Sequence, residues 1–293
     1  MDIIPNCLFS KENIKILMRK GQGAIMHKVL VNDLLDKEVF VTQPLILYVS
    51  RGVQRITCQD GSHVVVKDGQ FVLFPRDIYL VSDFVTENGV FDATLFFMPF
   101  ETIETFLTGY GLKDIEDLEA VPSGVTILGS NPQIDSYVQS LQSVYFREDT
   151  HVDVLNLKIL ELLYLISNRK DGFNAVASVN RLRMPPGKRD LKQFMETNCF
   201  NNLSIDDYAM LSGRSVSTFM RDFKKEFKAT PNQWIIDQRL RRARKMLSLA
   251  SCSVTDVAIE VGYESTSHFI SAYKRKFGVT PKKEMRNSTE YLG

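Results

Sequence analysis

Histidine and cysteine, the side chains behind most metal and nucleophile chemistry, are scarce here, with four of each in 293 residues. Cys7, Cys58, Cys199 and Cys252 stand alone, without a CxxC pair or a histidine at ligand spacing, so reduced thiols fit better than disulfides or a zinc site. His27, His63, His151 and His268 are too far apart in sequence to make a close ligand pair. GxSxG, GxxxxGK followed by Ser or Thr, and a paired-carboxylate motif are all missing. The expectation is a chain with no catalytic residue, no metal and no cofactor, and not an enzyme. Long apolar runs are missing too: none approaches the roughly 18–20 residues that span a bilayer. The start, MDIIPNCLFSKENIK, lacks a signal-peptide pattern, so a cytoplasmic protein is expected.

What the chain has instead is segregated charge. From Arg181 onward there are 21 Lys and Arg against 12 Asp and Glu, a balance of +9, while the preceding 180 residues hold 15 and 23, a balance of −8. The overall +1 conceals a basic third and an acidic remainder. A compact basic unit attracts a polyanion by counterion release, and an acidic partner domain discourages indiscriminate sticking. A length of 293 residues also exceeds the usual single domain of roughly 100–200.

The basic third contains a repeat. FKKEFKATP, from Phe223 to Pro231, returns as YKRKFGVTP, from Tyr273 to Pro281. Upstream, Ile205, Tyr208, Ala209 and Gly213 match Val254, Val257, Ala258 and Gly262 at an offset of 49; after the glycine the offset is 50. One residue has been added in the turn. Each copy reads as two helices joined at a glycine able to take the left-handed conformation that ends a helix. Ser204 with Asp207, and Ser253 with Asp256, have capping-box spacing, and Thr-Pro opens a further helix in both copies. That is a helix-turn-helix, twice.

On a helical wheel Val216, Phe219 and Phe223 share one side, and Ser217, Arg221, Lys224 and Lys228 fall on the other. In the second copy Phe269 and Tyr273 are the buried pair, and Ser267, Ser271 and Lys274 face out. Between the copies runs Arg239, Arg241, Arg242, Arg244 and Lys245, a basic cluster suited to a polyanion. Ile236, Leu240, Ala243 and Leu247 form an apolar seam on the same helix, which is expected to hold the two units in fixed relation.

The first domain reads as β. From Pro44 to Phe84 short strands rich in Val, Ile, Leu and Phe are separated by turns at Arg51-Gly52, Asp60-Gly61 and Asp68-Gly69, and FDATLFFMP adds another. This spacing predicts a barrel or a two-sheet sandwich. Two helical stretches follow, Asn131 to Phe146 and Val152 to Asn168. The second carries too many apolar residues for one stripe, so it is expected to be covered on more than one side, by the barrel and by either a second protomer or the first helix. From 171 to 186, Gly, Asn and Pro interrupt the periodicity, which reads as a linker. The expected division is therefore 1–170, a 171–186 linker, and 187–293.

The pattern around Gly213, Phe219 and Phe223, the linking RLRRARKML, and VAIEVGYESTSHFISAYKRKFGVTP from Val257 to Pro281 resemble the DNA-binding domain of the AraC/XylS transcriptional regulators, over about the last hundred residues. The amino-terminal strands, DGQFVLFP among them, resemble that family's cupin-like domain. The resemblance implies an α+β multidomain chain, with a cupin-like β-barrel and dimerisation helices in front of an all-α double helix-turn-helix. It implies a transcription activator that inserts two recognition helices into successive major grooves about 34 Å apart. Base reading falls to Ser217, Met220 and Arg221 in the first unit and to Thr266, Ser267, Ile270 and Ser271 in the second. Lys224, Lys225, Lys274 and Arg275 contact phosphates. The implied partners are promoter DNA, RNA polymerase, a second copy of the chain, and a small-molecule effector at the barrel. In the type III secretion activators of the family a regulatory protein takes the effector's place. A metal-dependent cupin enzyme fused to a DNA-binding domain is the remaining rival, and the histidine spacing argues against it.

Overall fold

A computed structural model describes residues 1–86, 89–109, 124–145, 154–168, 172–182, 188–248 and 253–290. Cys252 and His151 lie outside them. The chain forms two compact units, Met1–Pro186 and Gly187–Gly293.

The first unit begins with β1 (Asp2–Ile4), a 3-10 turn (Asn6–Ser10), β2 (Ile14–Lys20), β3 (Gly23–Leu30) and β4 (Leu34–Val41). Next come β5 (Leu45–Arg51), β6 (Val53–Thr57), β7 (His63–Val66), β8 (Gln70–Phe74), β9 (Asp77–Phe84) and β10 (Phe91–Phe97). Helix α1 (Phe100–Gly109), β11 (Thr126–Gly129), α2 (Pro132–Val144), α3 (Leu155–Ser167) and α4 (Gly172–Arg181) complete it.

These strands make two sheets, ordered β1-β4-β9-β6-β7 and β11-β8-β5-β10-β3-β2. The expected barrel is not closed: β1 and β7 end one sheet, β11 and β2 end the other, and among the described residues no ladder joins them. The pairing register shows how the layers are filled. Met26, Leu95 and Leu47 stand side by side across β3, β10 and β5 and point into the sandwich core, while Ile25, Phe96 and Ile46 form the next row and point toward the helices. A slip of one residue would exchange the two rows. The six-stranded sheet is thus buried on both faces, which is why LILYV and FVLF carry continuous apolar runs. The five-stranded sheet has one wet face, and β6 alternates accordingly.

Helices α1 to α4 pack on the outer face of the six-stranded sheet. The Tyr48 hydroxyl donates to Asp135 Oδ1 at 2.7 Å, which ties the first turn of α2 to β5. Residues 172–181, expected to be linker, are helical instead. Ala175, Val176 and Val179 of α4 sit in the same core as Leu162 and Ile166 of α3, so the apolar spacing outweighs Gly172 and Asn174. α3 buries Leu155, Ile159, Leu162, Leu163 and Ile166, yet Leu157 on its other side is 64% exposed.

The second unit is all helical: α5 (Leu191–Asn198), α6 (Ile205–Leu211), α7 (Val216–Phe227), α8 (Pro231–Ser248), α9 (Val254–Glu260), α10 (Thr266–Phe277) and α11 (Pro281–Glu290). Both capping boxes form: Ser204 and Asp207, and Ser253 and Asp256, exchange side-chain and backbone hydrogen bonds at the starts of α6 and α9. Gly213 and Gly262 close those helices at φ +71° and +86°. Pro231 and Pro281 begin α8 and α11, where a missing N–H costs nothing.

Candidate nucleic-acid interface

Each second helix has a sealed back and an open front. Phe219 and Phe223 in α7, and Phe269 and Tyr273 in α10, are fully buried. Behind α7, Trp234 lies tilted against Phe227 with ring centroids 4.6 Å apart and meets Phe223 edge-on at 5.8 Å. Behind α10, the rings of Tyr263, Phe269, Tyr273 and Phe277 form a chain with centroid spacings of 5.4, 5.7 and 4.7 Å. Such pairs add to the area they bury and hold the helix rotation about its axis.

That rotation decides what faces out. On α7 Ser217, Met220 and Arg221 are exposed and share one face at i, i+3 and i+4. On α10 Ser267 and Ser271 are exposed, while Thr266 and Ile270 are half-buried, Ile270 with part of its side chain against the core. Lys224, Lys225, Lys274 and Arg275 are all exposed near the C-terminal ends of the two helices. Val216 is not on the buried side as expected: at the first turn of α7 it stands 42% exposed, one turn before Met220. His268 is a further exposed residue on the first turn of α10 that the wheel did not pick out; its backbone N–H donates to Ser265 Oγ at 3.4 Å. Its place three residues into a capped recognition helix was the available signal.

The arginines of α8 have a different use from the one their sequence suggests. Arg239 donates from Nε to Cys199 O at 2.9 Å, from Nη1 to Gly262 O at 2.7 Å and from Nη2 to Asn201 O at 2.7 Å. One guanidinium fork therefore ties the end of α5 to the turn between α9 and α10, a task its fixed planar geometry suits. Arg241 pairs with Asp237, Arg242 with Glu260 and Arg244 with Glu284. Lys276 of α10 reaches back to both the backbone oxygen and the carboxylate of Asp237. Burial raises the Asp237 carboxyl, but the hydrogen bonds from Lys276 and Arg241 outweigh it and hold the group below its ordinary value. In the first copy the hydrogen bond from Arg214 does the same for Asp222. Most of the basic cluster is thus spent on the frame.

The expected seam on α8 is also shifted. Ile235, Leu240, Ala243 and Leu247 are buried, and Ile236 is 39% exposed. The reason is that α8 serves two partners in turn: its first half sets Trp234 against Phe223 and Phe227 of α7, and its second half joins Val257, Phe269 and Tyr273 in the core of the second copy.

Residues 208–287 match a helix-turn-helix domain family model, and residues 44–177 match the ExsA N-terminal regulatory domain. The chain is 30% identical over 186 residues to the virulence regulon transcriptional activator VirF of Yersinia enterocolitica, covering 63% of this chain and 68% of that one. It is 25% identical over 251 residues to the HTH-type transcriptional regulator ExsA of Pseudomonas aeruginosa, covering 80% and 89%. Among solved structures, an apo ToxT variant from Vibrio cholerae is similar at 12% identity and a TM-score of 0.44, over 91% of this chain and 98% of that one. With its regulatory unit in front and two capped, register-matched helix-turn-helix copies behind, the chain belongs to the AraC/XylS family of DNA-binding transcriptional regulators.

Proposed function

We propose that the unit spanning 187–293 binds promoter DNA with α7 and α10 in successive major grooves and that the protein activates transcription by contacting RNA polymerase. Ser217, Met220 and Arg221 read bases at one half-site, and Thr266, Ser267, Ile270 and Ser271 read the other. Lys224, Lys225, Lys274 and Arg275 take the phosphates. The observation that carries this reading is the matched exposure of Ser217, Arg221, Lys224 and Lys225 on one helix and Ser267, Ser271, Lys274 and Arg275 on the other, both helices having backs sealed by aromatic rings. Binding rather than catalysis is the work of the chain, and it is done in the cytoplasm. In support, no described helix is long and apolar enough to cross a membrane.

The first unit, residues 1–170 with α4 added, senses an effector and pairs with a second copy through the open side of α3, where Leu157 leaves an apolar surface uncovered. The effector is a small molecule, or alternatively a regulatory protein.

Salt dependence tests the DNA contacts. In gel-shift titrations of the full-length chain at several salt concentrations, Lys224→Ala lowers the slope of log affinity against log salt by about 0.9, the loss of one phosphate contact. Arg242→Ala leaves the slope unchanged, because Arg242 is already engaged with Glu260. Equal slopes for both variants and the parent would place the phosphate contacts elsewhere.

A further inference from the structure

An open groove of about 790 Å³ lies along α8, lined by Arg241, Arg242, Arg244, Lys245 and Lys276. Asp237, Glu260 and Glu284 pair with four of these five cations, so a surplus of two positive charges remains. Lys245 is exposed and has no ion-pair partner among the described residues. The ion pairs hold the arginines without covering them. Arg241 bonds Asp237, and Arg244 bonds Glu284, through Nε alone. That fixes each guanidinium and leaves its two terminal nitrogens without a hydrogen-bond partner among the described residues. The two side chains stay 68% and 53% exposed. The Arg242 guanidinium lies over the Phe200 ring at 4.4 Å from its centroid, and that of Arg244 over Phe277 at 4.8 Å. A guanidinium held at its inner edge and against a ring presents a preorganised fork to a planar, bidentate acceptor.

We infer that this groove docks an acidic segment of a partner protein, whose carboxylates meet the terminal nitrogens of Arg241 and Arg244 and the ammonium of Lys245. The inference goes beyond DNA binding and rests on the reading of α10 as a helix that enters a groove of DNA. On α8, Gln238, Arg241, Arg242 and Lys245 recur at i, i+3, i+4 and i+7, on the side opposite Leu240, Ala243 and Leu247, which face the core of the second copy. On α10, Ser267, Ser271 and Lys274 are opposite Phe269 and Tyr273, which close the same core from across it. The groove and the reading face of the second copy therefore point in opposite directions, and a duplex held by α10 does not reach the groove. Charge complementarity then favours protein carboxylates over the phosphate backbone. The duplicated plan does not require these cations either. At the offset of 50, Ser288, Tyr291 and Leu292 stand where Gln238, Arg241 and Arg242 do. Arg241 and Lys245 are separated by about 6 Å along the helix, close to the spacing of acidic side chains one turn apart on a helix or two residues apart on a strand.

Fluorescence anisotropy of the full-length chain at low salt tests the assignment, with a short fluorescein-labelled peptide of alternating Glu and Ala as probe and the same peptide with Gln in place of Glu as control. The Glu peptide is expected to bind roughly tenfold tighter than the Gln peptide. Lys245→Ala, which breaks no described ion pair, is expected to weaken it about threefold, and Arg241→Ala together with Lys245→Ala about tenfold. Asp237 keeps its bonds from Lys276 in both variants, so the thermal midpoint and the salt slope of DNA binding are expected to match the parent. A duplex carrying a site selected from a randomised pool, added to saturation, is expected to raise the anisotropy of the bound peptide further by forming a ternary complex. Displacement of the peptide by the duplex overturns the inference and makes the groove a nucleic-acid surface. Equal binding of the two peptides, or parental binding by the double variant, overturns it as well. Gel shifts on the same preparation keep the two readings apart. A peptide that fails to bind a chain that still binds DNA overturns the docking groove alone, whereas a chain without DNA affinity at low salt overturns the reading of α10 too.

Discussion

Phe219 and Phe223 of α7 have Phe269 and Tyr273 of α10 as counterparts, and all four are fully buried. At the outward positions the likeness stops: Met220 and Arg221 on one helix face Ile270 and Ser271 on the other. The turns differ as well. Arg214 follows the first turn glycine and donates from Nη1 to Arg189 O and Ser212 O, while Tyr263 follows the second and meets Phe269 edge-on. The helix ends differ again, with Lys228 capping α7 at φ +54° and Gly278 capping α10 at φ +76°. Two copies of one plan have kept the groups that close the helix against its core and changed those that meet a partner. The scaffold is a packing solution that tolerates little, and the reading face is free to diverge.

The equivalence of the two cores is the part of this comparison with most free energy in it. Phe219→Ala and Phe269→Ala are each expected to cost about 3–5 kcal/mol in urea unfolding of the helical unit, because each leaves a cavity in a fully buried site. A difference of more than about 2 kcal/mol between them would show that the copies are not energetically alike. Next comes the tie between copies. Arg239→Ala should cost about 3 kcal/mol, since three backbone oxygens lose a charged donor at once, and Arg239→Lys should recover only a fraction, because an ammonium cannot span the fork. Full recovery by lysine would reduce Arg239 to a simple charge.

The outward difference is tested on DNA. Arg221→Ala should weaken specific binding by about 1–3 kcal/mol and relax the preference at one base pair, because an arginine can bond guanine O6 and N7 together. Its counterpart, Ser271→Ala, should cost less than about 1 kcal/mol. Selection of preferred sites from a randomised pool reads both effects, and a uniform loss across sequences would make Arg221 a phosphate contact. The smallest effect concerns the caps. A lysine in the left-handed region is strained where glycine is not, so Lys228→Gly should stabilise the unit by about 1 kcal/mol, visible as a higher thermal midpoint. No change would mean that the Lys228 side chain compensates in the folded state.

Residues 1–43 show where the sequence was hardest to read: they hold four strands, and none was expected. IKILMRK and GAIMHKVL carry Lys, Arg and His within strands, which blurs alternation, and β2 pairs with β3 through a register shift between Ile16 and Met18. α4 was hidden for the opposite reason, because its Gly and Asn mimic a linker and only the core contributed by α3 shows why it is helical. Val216 and Ile236 were assigned to the wrong side because a wheel places a residue by angle alone. Whether a neighbour reaches that angle depends on the rest of the fold.

The sequence by itself determined the repeat, the two capping boxes, the turn glycines, the aromatic backs of the recognition helices and the separation of charge between the units. These depend on spacings of three or four residues and on composition, which act locally and survive any arrangement of the remainder. Tertiary structure decided the use of the α8 arginines, the open edges of the two sheets, and the meeting of the buried Lys28, Gln54 and Asp83 side chains. Those partners lie 29 and 55 residues apart and are joined by strand pairing. Which strands pair, and in which register, is settled by burying both faces of a sheet at once, a condition that no local stretch of sequence contains.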